Sequence, residues 1–600
     1  MSKKYNTLVQ KALCLVILPM LMCIRVGHAQ ETITQWSVHE LSFTASHSHD
    51  WYDFPLQVTF THLGEDGTPS GTELTLEGYW DGGKTWKVAF APTRPGLWKW
   101  ASVSGDPGLD DHSGSFQVTA PTTGQIHLNP NYRGHLWARP GDRYLTYADG
   151  TPFFWLGDTV WNMNSLRSGL EEGSHGRPFY VYLQNRKAKK FTVIQTQFLG
   201  LIPLVTNEGG YAFSDYTDDD GSFNNLNPPH FQALDTRVRE IWKEGFVLAA
   251  HPSWFSQIDI SPTDAKRISR YLLARYGAYN LVWSLSGEYQ YGYDDEGYRW
   301  DTADWNSLGE LVQRHNPYHH PVTVHSSGRK DWESVVDGAG QLSSSGEFHD
   351  QEWLDCNWIQ TGHQESRLEN IPQRVAQDHG ETPPKPAIHS EGWYENFDRR
   401  ESPPTPAQIR WQVWTTFLNG GAGHTYGAVG VWPFYNPDIN DDPLLSWNDT
   451  TWYEGLELPG SHDLQHVRAF LTSLPWWDLE PHREWLEVDG KQPAYDYDDG
   501  RQDPHLAATP GSDNVVVYIP ENNKSRRIAV SRLVAGQPYH AYWFNPRDGS
   551  RATTNIDNPI TPGSNGEWTV PPRPSPNDED WVLYLFAVKK TFYMPLIMKQ

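Results

Sequence analysis

Two glutamates hold equivalent positions in the sequence, because each closely follows a short apolar run of the kind that forms a buried strand. Glu288 comes after Leu281–Leu285, and Glu391 comes after Ala387–His389. Alternating strand and helix signals fill the stretch between them. Side chains just past the carboxyl ends of different strands of a parallel barrel converge on one cleft. We therefore expect the two carboxylates to face one another at the mouth of such a barrel.

A pair of carboxylates in one cleft has the groups that hydrolysis of a glycosidic bond requires. One protonates the leaving oxygen, and the other acts on the far side of the anomeric carbon. A separation of about 5–5.5 Å favours retention of configuration, and about 6.5–9.5 Å favours inversion. We predict Glu288 and Glu391 as the catalytic residues, with no metal or other cofactor. The alternative is that they are two solvated loop acids among the 73 Asp and Glu residues.

Further polar and aromatic side chains follow the same strand-like runs, and we expect them to bind the sugar. Aromatic rings can pack on the C–H faces of sugars, while imidazoles, amides and carboxylates can bind hydroxyl groups. The predicted substrate-binding residues are Asp158, Trp161, Gln197, His251, Trp254, Tyr289, His325, His363, Trp393, Tyr394, His424 and Tyr426. Each histidine taken singly is more often structural, but together they predict a polar barrel mouth.

The same histidines support a competing hypothesis, a metal-dependent barrel hydrolase with zinc at the strand ends. Such barrels usually carry a His-x-His pair on the first strand, which here ends in Gly157-Asp158. The sequence also lacks a His-Glu-x-x-His motif. A third hypothesis, a catalytically inactive barrel that only binds glycans, stays open. Loss of activity on removal of either carboxylate would separate the enzyme from the binding protein.

Strand and helix signals divide the chain into three folded regions. Alternating apolar and polar side chains and Gly-rich turns predict β-sandwiches at both ends, over residues 31–120 and 485–588. Residues 130–475 alternate strand and helix signals, and residues 589–600 form a short tail. The predicted fold is multidomain, with a central (β/α)₈ TIM barrel flanked by two all-β sandwich domains.

Eight short apolar runs account for the strands of the predicted barrel. They are Phe153–Leu156, Thr192–Thr196, Val247–Ala250, Leu281–Leu285, Val322–Val324, a weaker run near Leu354–Trp358, Ala387–His389 and Gly423–Tyr426. Continuous apolar runs of this length suit parallel strands that are buried on both faces. Ser261-Pro262 and Thr405-Pro406 have the residue types that begin helices, and Gly277 and Gly420 those that end them.

The first 29 residues have the pattern of a signal peptide. Basic Lys3, Lys4 and Lys11 precede the apolar stretch Leu13–Ile24, and small residues precede Gln30. We therefore expect export after cleavage. That stretch is too short to cross a bilayer comfortably, and no later run reaches about 18 apolar residues, so no membrane span is expected. Cys356 then remains as a single cysteine, which excludes an intrachain disulfide.

Charge and aromatic content narrow the class of partner. The formal net charge is −25, which disfavours nucleic acid and anionic membranes, since both are themselves anionic. The chain contains 29 Trp and 29 Tyr, many beside polar residues, which suits carbohydrate binding as well as sandwich cores. A carbohydrate is therefore the expected partner, and the sequence leaves the oligomeric state open.

Four motifs in this order resemble the apiosidase-like glycoside hydrolases: Gly157–Trp161, Trp283–Glu288, Lys385–Glu391 and Gly420–Gly427. The first sandwich resembles a module of unknown function that precedes that barrel, and the second resembles a small domain named for collagen binding. The resemblance implies a retaining hydrolase acting on polysaccharide or oligosaccharide side chains, with Glu288 as acid/base and Glu391 as nucleophile. Gly287 stands where related barrels often have Asn, so a hydrogen bond to the sugar 2-hydroxyl must come from elsewhere.

Overall fold

The computed structural model describes residues 31–199, 206–214, 223–258, 260–290, 300–328, 342–398, 402–439, 448–494, 497–498, 501–575 and 577–588. The predicted signal peptide and C-terminal tail lie outside these ranges. Within the ranges, no helix combines the length and the apolarity needed to cross a membrane.

The N-terminal region contains two β-sheets packed face to face. Its strands are β1 (Glu31–Thr34), β2 (His39–Thr44), β3 (Leu56–Leu63), β4 (Pro69–Glu77), β5 (Tyr79–Trp80), β6 (Thr85–Phe90), β7 (Gly96–Ser104) and β8 (Ser113–Thr119). One sheet has the order β1-β8-β7-β3-β4 and the other the order β2-β6-β5. Phe60 of β3 stacks on Phe90 of β6 with ring centroids 3.9 Å apart, so aromatic side chains fill the space between the sheets.

A short helix and a hairpin connect this sandwich to the barrel. They are α1 (Thr123–Leu128), which begins with a Thr122–Gln125 capping box, and the antiparallel pair β9 (Leu136–Ala138) and β10 (Leu145–Tyr147). Leu136 and Leu145 pack in one apolar cluster with the interior strand residues Val193 and Val247. The hairpin therefore closes the end of the barrel where the strands begin.

Eight parallel strands form the barrel, as the sequence predicted. They are β11 (Trp155–Thr159), β12 (Val193–Gln197), β13 (Val247–His251), β14 (Leu281–Ser284), β15 (Val322–Thr323), β16 (Asn357–Gln360), β17 (Ala387–Glu391) and β18 (Gly423–Tyr426). The sheet order is β15-β14-β13-β12-β11-β18-β17-β16, which is nearly closed. Across the remaining seam, the Thr323 hydroxyl donates to the Cys356 carbonyl at 2.8 Å and the Asp355 amide donates to the Val322 carbonyl at 2.8 Å.

Helices surround the barrel and continue beyond its last strand. They are α2 (Pro178–Ala188), α3 (Pro228–Lys243), α4 (Pro262–Tyr276), α5 (Thr302–Arg314), α6 (Ser345–Phe348), α7 (Asn370–Gly380), α8 (Pro406–Leu418), α9 (Trp452–Leu456) and α10 (Pro459–Leu471). Ser261 and Thr405 cap α4 and α8, as their sequence signals predicted. Gly277 ends α4, but Asn419 rather than Gly420 is the C-cap of α8.

The C-terminal region is a second sandwich. Its strands are β19 (Glu480–Pro481), β20 (Leu486–Val488), β21 (Tyr497–Asp498), β22 (Arg501–Gln502), β23 (His505–Ala508), β24 (Asn514–Ile519), β25 (Ile528–Val530), β26 (Tyr539–Phe544), β27 (Arg551–Ala552), β28 (Trp568–Thr569) and β29 (Trp581–Ala587). A sheet of order β19-β23-β24-β29-β26-β27 packs on a smaller sheet, β20-β25-β28.

Both sandwiches are attached to the barrel through buried polar and aromatic contacts. Arg275 of α4 pairs with Asp81 of the N-terminal sandwich at 2.7 Å. Arg410 of α8 binds both oxygens of Asp580 at 2.8 and 2.7 Å, and Trp414 stacks on Tyr518 of β24. Buried ion pairs and stacked aromatic rings fix relative orientation, so the barrel is held between its two neighbours.

Candidate active site

Glu391 is the last residue of β17, and only 3 % of its surface is exposed. Its two carboxylate oxygens are bound by histidines that follow the two preceding barrel strands. His325 Nε2 lies 3.0 Å from Oε2, and His363 Nε2 lies 3.1 Å from Oε1. Burial and the neighbouring charge of Glu391 raise the pKa of Tyr394 well above its usual value, so this phenol is neutral beside the carboxylate. The orientation of Glu391 is therefore set by two histidines from two different loops.

These contacts also determine the charge of Glu391. Burial by itself would raise the pKa of this carboxyl, but the hydrogen bonds and charges of His325 and His363 outweigh burial and lower the pKa to about 2. Glu391 is therefore a carboxylate throughout the neutral and mildly acidic range. A buried anion whose lone pairs are held in place is suited to act as a nucleophile or to stabilise a cation.

The hydrogen bonds of His325 have a consequence for its protons. Its Nδ1 lies 2.8 Å from the carbonyl oxygen of Ser326, and its Nε2 faces Glu391. A carbonyl and a carboxylate can only accept hydrogen bonds, so both ring nitrogens must carry a proton for both bonds to form. These two contacts engage both ring nitrogens and fix the orientation of His325 against Glu391.

We expect His363→Gln to move the acid limb of kcat/KM to higher pH. The substitution keeps a hydrogen-bond donor but removes the positive charge near Glu391, so the pKa of Glu391 rises from about 2 towards its usual 4.5. As the nucleophile that the sequence predicts, Glu391 would attack only in its ionised form, so activity is then lost at a higher pH as the medium is acidified. A kcat/KM profile over the acidic range measures the shift. His462→Gln, which alters an exposed His–Glu pair, is the control and should leave the profile unchanged.

Glu288 lies in the turn after β14 with a backbone φ of 33°. This left-handed conformation costs a residue with a side chain about 1–3 kcal/mol, so the surroundings must enforce it. The Ser256 hydroxyl donates to the Glu288 carbonyl at 2.8 Å, and the Tyr289 amide donates to the His325 carbonyl at 3.0 Å. Loops after two neighbouring strands therefore hold the turn that presents Glu288.

Trp254 explains why the residue before Glu288 is a glycine. A Cβ atom on Gly287 would lie 2.6 Å from Cδ2 and 2.7 Å from Cε2 of the Trp254 ring. No side chain fits at that distance unless the ring moves. The asparagine that related barrels often carry at this position therefore has no room here, because the indole fills its space.

We expect Gly287→Ala to lower kcat/KM by about 10²-fold, since a displacement of about 1 Å at a reacting group can cost that much. The new methyl group must displace either the Trp254 ring or the turn that carries Glu288. Steady-state kinetics on an aryl glycoside measure the loss. Gly380→Ala is a matched control in the barrel domain, because nothing lies within 4 Å of the place that its new methyl group would take. An unchanged kcat/KM in Gly287→Ala would contradict the role of this contact.

Gln360 connects the two glutamates and was missed by the sequence analysis. Its Nε2 donates to Oε1 of Glu288 at 2.9 Å, and its Cα is the register partner of Glu391 between β16 and β17. It ends β16, two residues beyond the weak run predicted near Leu354–Trp358, so the sequence placed no strand end at this residue. Thr159, at the end of β11, was also missed; its buried hydroxyl has no hydrogen-bond partner among the residues that the structure describes.

Trp161, His251, Trp254 and His325 form an aromatic cluster beside Glu391. The ring centroid of Trp161 lies 5.2 Å from that of His251, 5.5 Å from that of Trp254 and 5.7 Å from that of His325. Burial, and then the charge of His325, hold the pKa of His251 well below its usual value, so His251 is neutral. The structure thus brings these four predicted residues together.

Gln197 lies in the same region. Its Nε2 donates to the Trp161 carbonyl at 3.2 Å, while its Oε1, like both ring nitrogens of His251, has no hydrogen-bond partner among the residues that the structure describes. Buried polar atoms are normally satisfied by protein or ligand groups or by ordered water. Gln197 and His251 therefore retain hydrogen-bonding capacity next to the aromatic cluster.

Three predicted binding residues lie on the helix side of the barrel wall instead of at the mouth. Asp158 pairs with Arg186 of α2 at 2.7 Å and is fully buried. His424 Nδ1 lies 3.0 Å from His389 Nδ1, and the Tyr426 hydroxyl donates to Glu395 at 2.6 Å. Their strand neighbours face the interior, and side chains alternate along a strand. The expectation that Asp158, His424 and Tyr426 contact substrate is corrected accordingly.

Two residues next to the glutamates also differ from expectation. Tyr289 is 1 % exposed, its hydroxyl bonds to Glu347, and its ring packs on Phe348, so it supports the wall and is turned away from the Glu288 carboxylate. The backbone of Trp393 is held on both sides by Gln412 of α8, at 2.8 and 3.1 Å. Trp393 is 3 % exposed, and these two hydrogen bonds tie its position to α8 on the outside of the barrel.

Comparison with protein-family models identifies each region of the chain. Residues 139–478 match "Apiosidase-like, catalytic domain". Residues 32–105 match a domain of unknown function, and residues 495–586 match "Putative collagen-binding domain of a collagenase". No curated protein matches the chain significantly.

Solved structures with the same fold are known. A glycoside hydrolase is 22 % identical, with a TM-score of 0.61 over 77 % of this chain and 99 % of its own. A glycoside hydrolase family 5 protein from Bacteroides vulgatus ATCC 8482 is 21 % identical, with a TM-score of 0.59 over 76 % of this chain and 95 % of its own. A "putative glycoside hydrolase" from the same strain is 18 % identical, with a TM-score of 0.65 over 93 % of this chain and 100 % of its own. At these identities the likeness establishes the fold. Because the catalytic-domain model spans more than half of the chain, the protein belongs to the apiosidase-like family of glycoside hydrolases.

Proposed function

We propose that the protein is a retaining glycoside hydrolase in which Glu391 is the nucleophile and Glu288 the acid/base. The observation that carries this proposal is the pair of histidines on Glu391. His325 and His363 bind opposite oxygens of one buried carboxylate at 3.0 and 3.1 Å, and so keep it ionised and oriented. An oriented anion beside the anomeric carbon is what the first displacement requires.

The surroundings of Glu288 suit the opposite role. Glu288 is less buried than Glu391, and Gln360 donates to one of its oxygens at 2.9 Å. Its other oxygen can carry the proton that the leaving group needs. Because Glu288 is less buried, it can exchange protons with solvent, which benefits a group that gives up a proton and later takes one back. The two carboxyl groups thus have different environments, which is how one site separates a nucleophile from an acid.

The reaction runs in two balanced steps. In the first, Glu391 forms a bond to the anomeric carbon while the glycosidic C–O bond breaks, and the proton of Glu288 moves to the leaving oxygen. In the second, Glu288 takes a proton from water, the water oxygen bonds to the anomeric carbon, and the bond to Glu391 breaks. Two inversions give net retention, which predicts a carboxyl separation near the retaining value of about 5–5.5 Å.

The proposed substrates are sugar side chains of polysaccharides or oligosaccharides, and the proposed location is extracellular or periplasmic. Glu391 is 3 % exposed and Trp161 2 %, so a sugar must enter a deep site, which favours a terminal residue over the middle of a long chain. Gln197 and His251 supply unused hydrogen-bonding atoms for its hydroxyls. Export is proposed from the signal-peptide pattern of the first 29 residues.

A substrate screen with a chelator arm tests this function. Aryl glycosides and branched polysaccharides are incubated with the protein, and the anomer released first is identified by NMR. We expect hydrolysis with retention, and the same rate after chelation under conditions in which circular dichroism shows the protein folded. Activity that is lost on chelation and restored by zinc would favour the metal-dependent hydrolase, and no hydrolysis of any glycoside would favour the glycan-binding protein. The histidines that the metal-dependent hypothesis would use as zinc ligands already contact other side chains. His389 and His424 contact one another, and His325 and His363 contact Glu391.

A further inference from the structure

We propose that the N-terminal sandwich binds one divalent transition-metal ion, for which zinc is the best match, through His47, His49 and Asp106. His47 and His49 lie in the loop after β2, and Asp106 lies in the loop between β7 and β8. None of the three residues is among the site residues predicted from the sequence. The site belongs to a different domain from the proposed catalytic residues and does not depend on the proposed reaction.

The candidate ligand atoms already converge. His47 Nδ1 lies 3.1 Å and His49 Nε2 lies 2.9 Å from the same oxygen, Oδ2 of Asp106. One ligand atom from each residue lies within 4.8 Å of the other two. Zinc binds such atoms at about 2.0–2.2 Å in a tetrahedron, which places neighbouring ligand atoms roughly 3.3–3.6 Å apart. Small side-chain rotations therefore suffice to seat the ion.

The hydrogen bonding of Asp106 leaves Oδ2 as the ligand. Oδ1 accepts from the backbone amides of Ser46 at 2.8 Å and Gly108 at 2.7 Å, which fixes the carboxylate in the loop. Oδ2 is hydrogen-bonded to His49 Nε2 at 2.9 Å and accepts from the His47 amide at 3.4 Å. His47 Nδ1, 3.1 Å from Oδ2, is hydrogen-bonded to the Ser46 hydroxyl at 3.0 Å. A cation between the rings and Oδ2 would replace the imidazole–carboxylate contacts with metal–ligand bonds.

Exposure and surroundings also suit a metal site. The Asp106 side chain is fully buried, while that of His47 is 62 % exposed, so an ion can enter from solvent and keep a water as its fourth ligand. The Nδ1 atom of His49 lies 4.0 Å from an oxygen of Asp53, and metal-bound histidines often direct their second nitrogen at a carboxylate. Two imidazoles and one carboxylate form a zinc set; calcium and magnesium prefer oxygen ligands alone.

The position of these loops indicates a structural role. Two residues beyond His49, the Trp51 indole donates to the Asn224 carbonyl of the barrel domain at 2.7 Å, and its ring packs against Tyr271 of α4 at 5.6 Å. An ion that joins the His47–His49 segment to the Asp106 loop would stiffen the segment that carries Trp51. Metal binding should therefore stabilise the docking of the sandwich on the barrel.

The test uses the full-length, untagged protein, stripped by a chelator and titrated with zinc alone. We expect one zinc per chain by elemental analysis and a thermal midpoint that rises until the site is filled. His47→Ala should weaken zinc binding by at least about tenfold, since loss of even an outer-shell partner costs 10–100-fold. His47 is well exposed, so this variant should fold normally, and His127→Ala, another exposed histidine of the N-terminal half, is the control.

A second readout separates metal binding from a purely structural effect. Cobalt bound by His47, His49 and Asp106 should give the visible bands of a four-coordinate ion in the native protein and in His127→Ala, and lose them in His47→Ala. Two results would overturn the proposal. One is a native protein that binds no zinc, and the other is equal zinc affinity in the native protein and His47→Ala. The rate of glycoside hydrolysis is not a readout of this test, because the metal site and the proposed catalytic residues lie in different domains.

Discussion

Glu391→Gln should abolish hydrolysis of every glycoside that the protein accepts. The amide cannot form a bond to the anomeric carbon, and a better leaving group cannot supply the missing nucleophile. We expect kcat to fall by at least about 10⁴-fold, the upper end of what one general acid–base group contributes. Kinetics on a series of aryl glycosides with leaving groups of different acidity measure this loss, which should be the same across the series.

The control for Glu391→Gln is Glu457→Gln, which removes a charge from an exposed glutamate in the same domain and should leave kcat unchanged. Circular dichroism must show that both variants are folded, since Glu391 is buried between two histidines. Near-normal rates in folded Glu391→Gln would contradict the assignment of the whole site.

Glu288→Gln should lose activity in a way that depends on the leaving group. Natural glycosides need a proton on the leaving oxygen, whereas activated aryl groups leave without one, so the first step should survive only on the activated substrates. A general acid–base group contributes about 10²–10⁴-fold, and the loss should shrink by about that factor between the two kinds of substrate. Added azide should then restore turnover, because it attacks the glycosyl-enzyme without needing a base.

The comparison with Glu391→Gln is the internal control for this prediction, since azide and activated leaving groups should not help that variant. A Glu288→Gln variant that is equally inactive on all leaving groups and insensitive to azide would remove Glu288 from the acid/base role. The hydrogen bond from Gln360 to Glu288 would then need an explanation other than the positioning of an acid/base.

Most of the barrel could be predicted because its strands are short, continuous apolar runs bounded by turn residues. Six of the runs overlap their strands closely, while Phe153–Leu156 shares only two residues with β11. Ser261 and Thr405 mark two helix starts. The weak run near Leu354–Trp358 corresponds to β16, Asn357–Gln360. Its apolar residues are interrupted by Asp355 and Asn357, so the composition gave the existence of a strand but not its bounds.

The direction of side chains at the strand ends could not be predicted, because it depends on how each strand is phased against its neighbours. Asp158 and Tyr426 alternate with interior residues and therefore face α2. A register irregularity opposite Ile359 and Gln360 pairs Gln360 with Glu391, so the simple alternation from His389 to Glu391 does not apply. The ion pair of Asp158 and the left-handed turn at Glu288 also could not be predicted, because the residues that hold them are far away in sequence.

Trapping the covalent intermediate tests directly whether Glu391 is the nucleophile. A 2-deoxy-2-fluoro analogue of an accepted glycoside, with an activated leaving group, slows the second step more than the first, so the glycosyl-enzyme accumulates. Mass spectrometry of the digested protein then locates the added sugar. We expect one sugar per chain on the peptide that contains Glu391, and no label in Glu391→Gln. A label on another residue, or turnover with no covalent species and inversion of configuration, would contradict it.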